Sequence, residues 1–178
     1  NHFRLLGITT FDDAKAKYQA SQLVDFIRGV EGLQGFRSRT LLTDKGSFPW
    51  LLGDIVHSSP AVVGRPKESF DVSFNDETYR LFKQKYKDRR QMVYVGANDG
   101  MLHAFDEITG NELWAFIPPA MLPNLRDVVS TNANSTNSIY GVDGSPVVKD
   151  IFYKNKWRTV LMAGLGRGGH SYFALDVT

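Results

Sequence analysis

The sequence lacks cysteine, a strong excess of charge and any long apolar run, and it begins at Asn1 without an initiator methionine. The absence of cysteine excludes a disulfide framework and thiolate metal sites within its 178 residues. Its net charge of +2 is too small to indicate nucleic-acid binding, which usually shows a clustered basic face. No stretch has the uncharged apolar length of a membrane helix, which predicts a soluble chain. A start without a signal peptide or methionine predicts a mature product or an excised fragment.

Glycine and aromatic residues are abundant, as expected of an all-β protein with many turns: the chain has 16 glycines and 12% aromatic residues. The stretch from Met92 to Pro118 reads as three strands joined by two tight turns. In the first turn, Asp99-Gly100 is a pair that readily reaches the positive φ angles of a β-hairpin. The stretch therefore predicts consecutive antiparallel strands.

The second turn of this stretch carries a motif spaced A-x-D-x-x-T-G-x-x-x-W. Its members are Ala104, Asp106, Thr109, Gly110 and Trp114. Asp106 and Thr109 can hydrogen-bond the backbone of the turn, and Gly110 supplies its left-handed residue. Ala104 is small where strands pack closely, and Trp114 offers a large flat surface that can dock on a neighbouring sheet. We expect these five residues to form a structural blade-docking motif, with Trp114 as a clasp between adjacent four-stranded sheets of a ring.

The same pattern starts again further along the chain. Pro60 and Pro146, each preceded by serine and followed by a β-rich run, lie 86 residues apart. Asp106 and Asp176, each closing an Ala-x-Asp sequence, lie 70 residues apart. An internal repeat with several short strands per unit is typical of propeller blades. The sequence therefore predicts a mainly β fold, part of a modified β-propeller of antiparallel strands with flanking helices.

Two parts of the chain are distinguished by these patterns. We expect residues 1–50 to form a helical lead-in and a loop, and residues 51–178 to form the first blades of a C-terminal β-propeller. The second unit stops at Thr178, before any counterpart of the segment from Gly110 to Trp114. Since two incomplete blades leave strand edges and apolar faces exposed, we interpret the chain as a truncated piece of a longer protein.

Helical patterns flank the predicted strands. Thr10 and Asp13 resemble a capping pair before a stripe of apolar residues at helical spacing. Residues 30–50 and 119–140 read as loops, because glycine, proline and short polar residues punctuate them. We expect helices at 14–27 and 77–87 and strands at 61–63, 92–95, 102–105, 112–116, 147–153, 159–163 and 172–176.

Several features that could carry chemistry have simpler explanations. The segment 164–169 matches G-x-G-x-x-G, but the residues after it alternate like a strand, so we predict a hairpin and no dinucleotide site. The basic residues at 83–90 interleave with Tyr86, and we interpret them as a solvated helix face, with RNA binding as the alternative. No histidine has a metal-ligand spacing, which predicts packing or solvent-exposed roles for His57, His103 and His170.

The aspartates and serines give no catalytic pattern either. Turn chemistry accounts for the aspartates beside glycines or at strand ends, which are Asp54, Asp99, Asp143 and Asp150. Ser58 and Ser59 lack the G-x-S-x-G elbow of a hydrolase, and no D-x-D-x-D calcium loop occurs. We therefore expect no catalytic, cofactor-binding or metal-binding residue within this chain.

Two resemblances to known families extend these predictions. The motif from Ala104 to Trp114 resembles the docking motif that ends the blades of quinoprotein propellers, which implies quinoprotein-like blades. The chain also resembles the PilY family of type IV pilus assembly factors and tip-associated adhesins over residues 23 to 178. The similar segments follow the same order in that family, and they are 51–64, 93–106, 142–148 and 164–169.

The second resemblance implies a non-enzymatic role in pilus biogenesis. It implies an exported protein at the pilus tip, cell surface or outer membrane, which supports pilus extension, twitching motility and attachment. The implied partners are pilus subunits, the minor pilins, and ligands on host or abiotic surfaces. It implies a calcium loop further along the propeller, beyond Thr178, and no cofactor within this chain. Where some members carry Arg-Gly-Asp, the chain reads Arg28-Gly29-Val30, so integrin binding through that tripeptide is not expected.

Two alternative functions remain open on the sequence. A dehydrogenase with a quinone cofactor shares the docking motif, but it also needs stacking aromatics, a metal and an aspartate base, which cannot be assigned here. A periplasmic assembly scaffold is the second alternative. Cofactor absorbance would favour the enzyme, and association with an envelope complex rather than with pili would favour the scaffold.

Overall fold

The computed structural model of the chain describes residues 5–8, 12–130 and 139–178. The helices are α1 (Asp13–Ile27), α2 (Phe70–Ser73), α3 (Glu77–Lys85) and α4 (Leu125–Val129). The strands are β1 (Thr40–Thr43), β2 (Gly46–Pro49), β3 (Ala61–Val63), β4 (Met92–Gly96), β5 (Leu102–Asp106), β6 (Glu112–Phe116), β7 (Val147–Tyr153), β8 (Lys156–Gly164) and β9 (Tyr172–Asp176). All seven predicted strands are confirmed, with small differences at their ends.

The first of the two main sheets has four antiparallel strands in the order β3-β4-β5-β6. The turn between β4 and β5 contains Gly100 at a φ of +93°, as the predicted hairpin requires. A register shift follows Ala104 in β5, and Ala104 itself lies opposite Trp114 of β6. The sheet therefore places the two ends of the sequence motif on one face.

The second main sheet repeats the first three strands of that arrangement. Its antiparallel order is β7-β8-β9, with the Ser-Pro pair before β7 and the Ala-x-Asp sequence at the end of β9. The segment 164–169 forms a tight connection between β8 and β9, which confirms the predicted hairpin. The repeat read from the sequence is therefore a repeat of structure.

The hydrophobic core lies between these two sheets. Alternate residues of the first sheet, such as Tyr94 and Ala104, pack against Leu161 and Ala163 of the second. Because side chains of a strand alternate between its faces, each sheet offers one apolar row to the other. The sheets thus pack face to face, as adjacent blades are predicted to do.

The helical pair α2–α3 is inserted between β3 and β4 and reaches the second sheet. Asp76 begins α3, because its carboxylate accepts hydrogen bonds from the backbone of Thr78 and Tyr79. Trp157 of β8 stacks on Phe70 of α2, with ring centroids 5.2 Å apart. The predicted helix at 77–87 is confirmed with an end two residues earlier, whereas the single turn of α2 was not predicted.

The lead-in begins with α1, whose prediction is confirmed. The Asp12 carboxylate caps the helix by accepting hydrogen bonds from the backbone N–H groups of Ala14 and Lys15. The proposed capping residue Thr10 lies outside the described residues. Leu23 and Phe26 of α1 pack against α4.

Two loop predictions are wrong. Residues 30–50 contain the hairpin β1–β2, which turns at Asp44-Lys45 and uses Gly46 at a φ of +123°. The connection 119–140 contains a 3₁₀ turn and α4, whose apolar residues are held by α1. In both cases glycine and proline mark turns beside short elements rather than a continuous loop. Residues 131–138 of that predicted loop lie outside the described residues.

Candidate functional site

The predicted motif forms a compact turn after β5. One carboxylate oxygen of Asp106, Oδ1, accepts hydrogen bonds from the backbone of Ile108 at 3.0 Å and of Thr109 at 2.8 Å, and from the Thr109 hydroxyl at 3.0 Å. These bonds, those from Thr109 foremost, hold the pKa of Asp106 below its usual value. Gly110 closes the turn at a φ of +70°. The turn fixes where β6 begins.

The indole of Trp114 lies on the face of β6 that looks towards the second sheet. Its ring centroid is 5.7 Å from that of Tyr94, and 38% of the residue is exposed. The indole borders an open cleft of about 590 Å³, which is lined by Tyr94, Trp114, Ala115, Phe116, Leu175, Asp176, Val177 and Thr178. The cleft runs between β6 and β9. The role of Trp114 as a clasp between complete blades stays a prediction.

The two sheets also meet along a polar seam, where residues contact their own repeat equivalents. His57 Nδ1 lies 2.8 Å from Asp143 Oδ2, and the backbone N–H of Ser59 donates to Ser145 Oγ at 2.9 Å. Each of these pairs is separated by 86 residues, the spacing of the repeat. Equivalent positions in a rotational repeat can touch only close to the rotation axis. The seam therefore places β3 and β7 innermost.

The hydroxyl of Ser58 is fully engaged in hydrogen bonds at this seam. It donates to the carbonyl of Gly144 at 3.2 Å and accepts from the backbone N–H of Gly96 at 2.9 Å. A serine whose hydroxyl is engaged with backbone on both sides has no base to activate it as a nucleophile. Ser58 is thus a structural residue.

Glycines allow the backbones to approach closely at the seam. A Cβ on Gly96 would lie 2.1 Å from the carbonyl oxygen of Val142, and one on Gly144 would lie 2.4 Å from that of Gly164. A Cβ on Gly168 would lie 1.8 Å from the carbonyl oxygen of Gly141. The glycine-rich segment at 164–169 therefore serves backbone packing, and β9 follows it where a dinucleotide site needs a helix.

A charge cluster around the buried His103 and Asp99 lies at the other face of the first sheet. His103 Nε2 is 3.0 Å from Asp99 Oδ2, and His103 Nδ1 is 2.6 Å from Glu112 Oε1. Burial would lower the pKa of His103, but the hydrogen bonds and charges of both carboxylates outweigh burial and raise it above its ordinary value. Asp99 also accepts from the backbone N–H of Gly53 at 2.7 Å. The cluster ties the turn, the sheet and the segment before β3 together.

A second buried carboxylate joins the inserted helices to the second sheet. Asp150 accepts from the hydroxyls of Tyr79 and Thr159, each at 2.6 Å. Arg89 donates to the same Thr159 hydroxyl at 2.7 Å. Burial and the nearby carboxylate of Asp150 raise the pKa of Tyr79 well above its usual value.

Turn chemistry alone is therefore the wrong explanation for three of the predicted turn aspartates. Asp99 does bond a turn amide, that of Met101, but it also pairs with His103. Asp143 faces His57, and Asp150 receives two hydroxyls. A local signal for Asp99 existed, because it lies in the turn only four residues before His103 of the following strand. His57, the partner of Asp143, and Tyr79, one partner of Asp150, are 86 and 71 residues away, and no local pattern reveals them. Thr159, the other partner of Asp150, is nine residues away and lies opposite it in the β7–β8 hairpin.

The arrangement is suited to holding sheets together and presenting loops. Within the described residues, no group of three or more histidine, aspartate and glutamate side chains is placed to hold a metal ion. In that same part of the chain, no helix is both long and apolar enough to cross a bilayer. The polar groups at the seam and in both buried clusters bond one another.

Comparisons with known proteins all identify the same family. The family model described as PilY1 beta-propeller domain matches residues 52–178. The type IV pilus biogenesis factor PilY1 of Pseudomonas aeruginosa (strain UCBPP-PA14) is 44% identical over 170 residues, which are 93% of this chain and 14% of that protein. A PilY1 homolog of Xylella fastidiosa (strain Temecula1) is 40% identical over 177 residues, which are 97% of this chain and 14% of that protein.

A solved structure gives the same result. The crystal structure of the Pseudomonas aeruginosa PilY1 C-terminal domain matches with a TM-score of 0.52 and 43% sequence identity, over 66% of this chain and 23% of that one. The chain thus spans about one seventh of the length of the curated relatives it matches. Both main sheets lie within the matched range, so the chain belongs to the PilY1 β-propeller family.

Proposed function

We propose that this chain is part of a type IV pilus biogenesis factor. The observation that carries the proposal is the family match over 52–178, which contains both sheets and the seam between them. The relatives are named as pilus biogenesis factors, at 40 to 44% identity over most of this chain. Since the chain is a small part of their length, the activity proposed is that of the intact protein.

The contribution of this chain would be mechanical and positional. Face-to-face sheets, close glycine contacts and buried ion pairs make a rigid module that presents its connecting loops to partners. For the intact protein we propose an exported, pilus-associated location and contacts with minor pilins. Support of pilus extension, twitching motility and attachment to surfaces belongs to the same proposal.

We propose that the protein is not an enzyme. The hydroxyl of Ser58 and both ring nitrogens of His103 are engaged in structural bonds, which leaves neither free for catalysis. The test uses the intact protein, which should show neither quinone absorbance nor alcohol-dependent dye reduction. Dye reduction that rises with protein concentration would contradict this proposal.

We propose that calcium acts on the intact protein outside this chain. The resemblance described above implies a calcium loop further along the propeller, and this chain contains no D-x-D-x-D sequence. Calcium chelation should therefore alter piliation without changing the contacts of residues 52–178. Calcium-dependent changes in amide exchange at the seam would contradict that separation.

The pilus role is tested by deleting the gene in its own bacterium and counting surface pili by electron microscopy. We expect few or no pili, and restoration by the intact protein supplied from a plasmid. A Gly64→Ala version should restore pili fully, because a Cβ there meets only the Gln91 side chain at 3.4 Å or more. An unchanged pilus count in the deletion strain would contradict the proposal.

A further inference from the structure

One groove of the molecule has charges that the seam and the buried clusters do not use. This basic groove is open to solvent, has a volume of about 470 Å³ and lies between the connection after β3 and the end of α3. Its lining residues are Arg65, Pro66, Lys67, Lys83, Gln84 and Lys87. A smaller cleft of about 170 Å³ adjoins it; that cleft shares Arg65, Pro66 and Lys67 but is also lined by the carboxylates of Glu68 and Asp150. The basic groove itself is lined by the connection after β3 and by the end of α3, and none of its lining residues belongs to a strand.

The charge of this region is unbalanced. Residues 65–90 contain eight lysines and arginines against five aspartates and glutamates, a net charge of +3, whereas the whole chain has +2. Among the described residues, Arg65 and Lys67 have neither a hydrogen bond nor an ion pair from their side chains. Lys87 forms one ion pair, with its exposed neighbour Asp88, in which Nζ lies 3.8 Å from Oδ2.

Helix electrostatics explain only part of this charge. Lys83 lies in the last turn of α3, where a cation offsets the helix dipole, and it also pairs with Asp71 at 3.0 Å. Arg65 and Lys67 come from a different segment and have no such partner. They face a concave space instead of spreading over a convex surface, which concentrates the positive potential there.

We propose that the basic groove binds an acidic peptide segment of a partner protein. Three of the four cations are lysines, point charges on flexible stems that adapt to carboxylates at varied positions. The Gln84 side chain at the same groove can donate a further hydrogen bond to such a segment. This inference goes beyond the proposed pilus role, since the groove lies outside the seam and the docking motif.

Nucleic acid fits the groove less well. Single-stranded nucleic acids bind through aromatic rings on which bases stack, and no aromatic residue lines the basic groove. The ring of Tyr86 on the same helix is partly buried and is already faced by Lys85 and Arg89. Phosphate recognition favours arginine forks, and Arg65 is one arginine among three lysines.

The experiment measures fluorescence anisotropy of a labelled peptide of alternating glutamate and alanine, titrated with the intact protein at low salt. The test variant carries Arg65→Gln, Lys67→Gln and Lys87→Gln. The matched control removes the same charge from exposed sites elsewhere, with Lys15→Gln, Lys17→Gln and Lys45→Gln. Because each exposed ion pair contributes roughly a factor of two in affinity, the test variant should bind about tenfold more weakly.

The control variant should bind within about twofold of the unaltered protein, and binding should weaken as salt is raised. Peptide binding should also slow amide exchange at Arg65 and Lys67, a readout that does not depend on any variant. Absence of saturable binding, or an equal loss in the control variant, would overturn the proposal. So would a labelled oligodeoxythymidine of equal charge that binds more tightly and displaces the peptide.

Discussion

His103 shows how one residue can make stability depend on pH. The imidazole is almost fully buried and lies between the carboxylates of Asp99 and Glu112. A neutral ring would have one donor for two carboxylates, whereas the imidazolium donates to both. The folded protein therefore favours the charged ring despite its burial, and the raised pKa follows from that preference.

The resulting prediction concerns the pH dependence of the free energy of unfolding. Since the pKa of His103 is higher in the folded state than its ordinary 6.5, the stabilisation is fully present below about pH 6.5. It is lost as the pH rises through the raised pKa. We expect His103→Gln to remove this decline, measured by urea unfolding at a series of pH values. The exposed His170→Gln should keep the decline, and an unchanged slope in His103→Gln would show that the ring is neutral.

Trp114 gives the second prediction at this scale. Its indole contacts Tyr94 and borders the cleft between β6 and β9, with 38% of the residue exposed. Trp114→Ala should lower the free energy of unfolding by about 2 kcal/mol, less than the loss at a fully buried tryptophan. Trp50→Ala is the control, because Trp50 is 63% exposed, and it should change stability by less than about 0.5 kcal/mol. Equal losses in the two variants, measured by urea unfolding, would contradict a docking role for Trp114.

At the scale of elements, the seam depends on glycines that end the second strand of each sheet. A Cβ on Gly96 would lie 2.1 Å from the carbonyl oxygen of Val142, so the backbones must separate. Gly96→Ala should cost about 3 kcal/mol by overpacking. Gly64→Ala, where the nearest atom is 3.4 Å away on a flexible glutamine, should leave the free energy of unfolding nearly unchanged. The denaturant midpoints of both variants test this prediction. A Gly96→Ala variant with an unchanged midpoint would mean that the backbones at the seam are not packed closely.

The inserted helices give a separate prediction. Tyr79 is fully buried and donates one of the two hydroxyl hydrogen bonds that Asp150 accepts. Tyr79→Phe should lower the free energy of unfolding by about 2 kcal/mol, because a buried carboxylate loses a donor. Tyr172→Phe removes a hydroxyl from a residue that is 82% exposed and should have little effect. If urea unfolding gives the same free energy of unfolding for Tyr79→Phe and the unaltered protein, water replaces the lost hydroxyl.

Elements with their own local signals could be predicted from the sequence. The strands from Met92 to Phe116 combine alternating apolar residues with two glycine turns, and each was predicted within one residue of its ends. The hairpin β1–β2 was missed because its eight residues are all exposed and show no alternation. The helix α4 was missed because five residues are too few to show a helical period, and tertiary contact with α1 holds it.

The site could be predicted only where its contacts are local. The Asp106 turn closes within four residues, and its geometry follows from residue types alone. The hydrogen bond between His57 and Asp143 spans 86 residues, so it depends on how the two sheets pack. The same holds for the backbone approach at Gly96, where glycine at a strand end was a visible but unspecific signal.

At the scale of the whole molecule, the two sheets are related as neighbours in a rotational repeat. Contacts between positions 86 residues apart place the inner strands β3 and β7 beside the axis, and β6 at the outside. The first sheet has four strands and the second has three. In the described residues β9 is therefore hydrogen-bonded along one edge only, beside the cleft that Trp114 and Phe116 border.

That asymmetry gives the last prediction. In the intact protein, whose relatives are about seven times longer than the stretch they share with this chain, a further strand should pair with β9 and cover the cleft. Amides of 172–176 should then exchange at least about tenfold more slowly in the intact protein than in the isolated chain, measured by mass spectrometry. The central strand β5, already paired on both edges, should exchange equally in both and serves as the control. Equal exchange of the β9 amides in the two proteins would mean that no further strand pairs with the open edge of β9. The ring of blades would then have to close through a different contact.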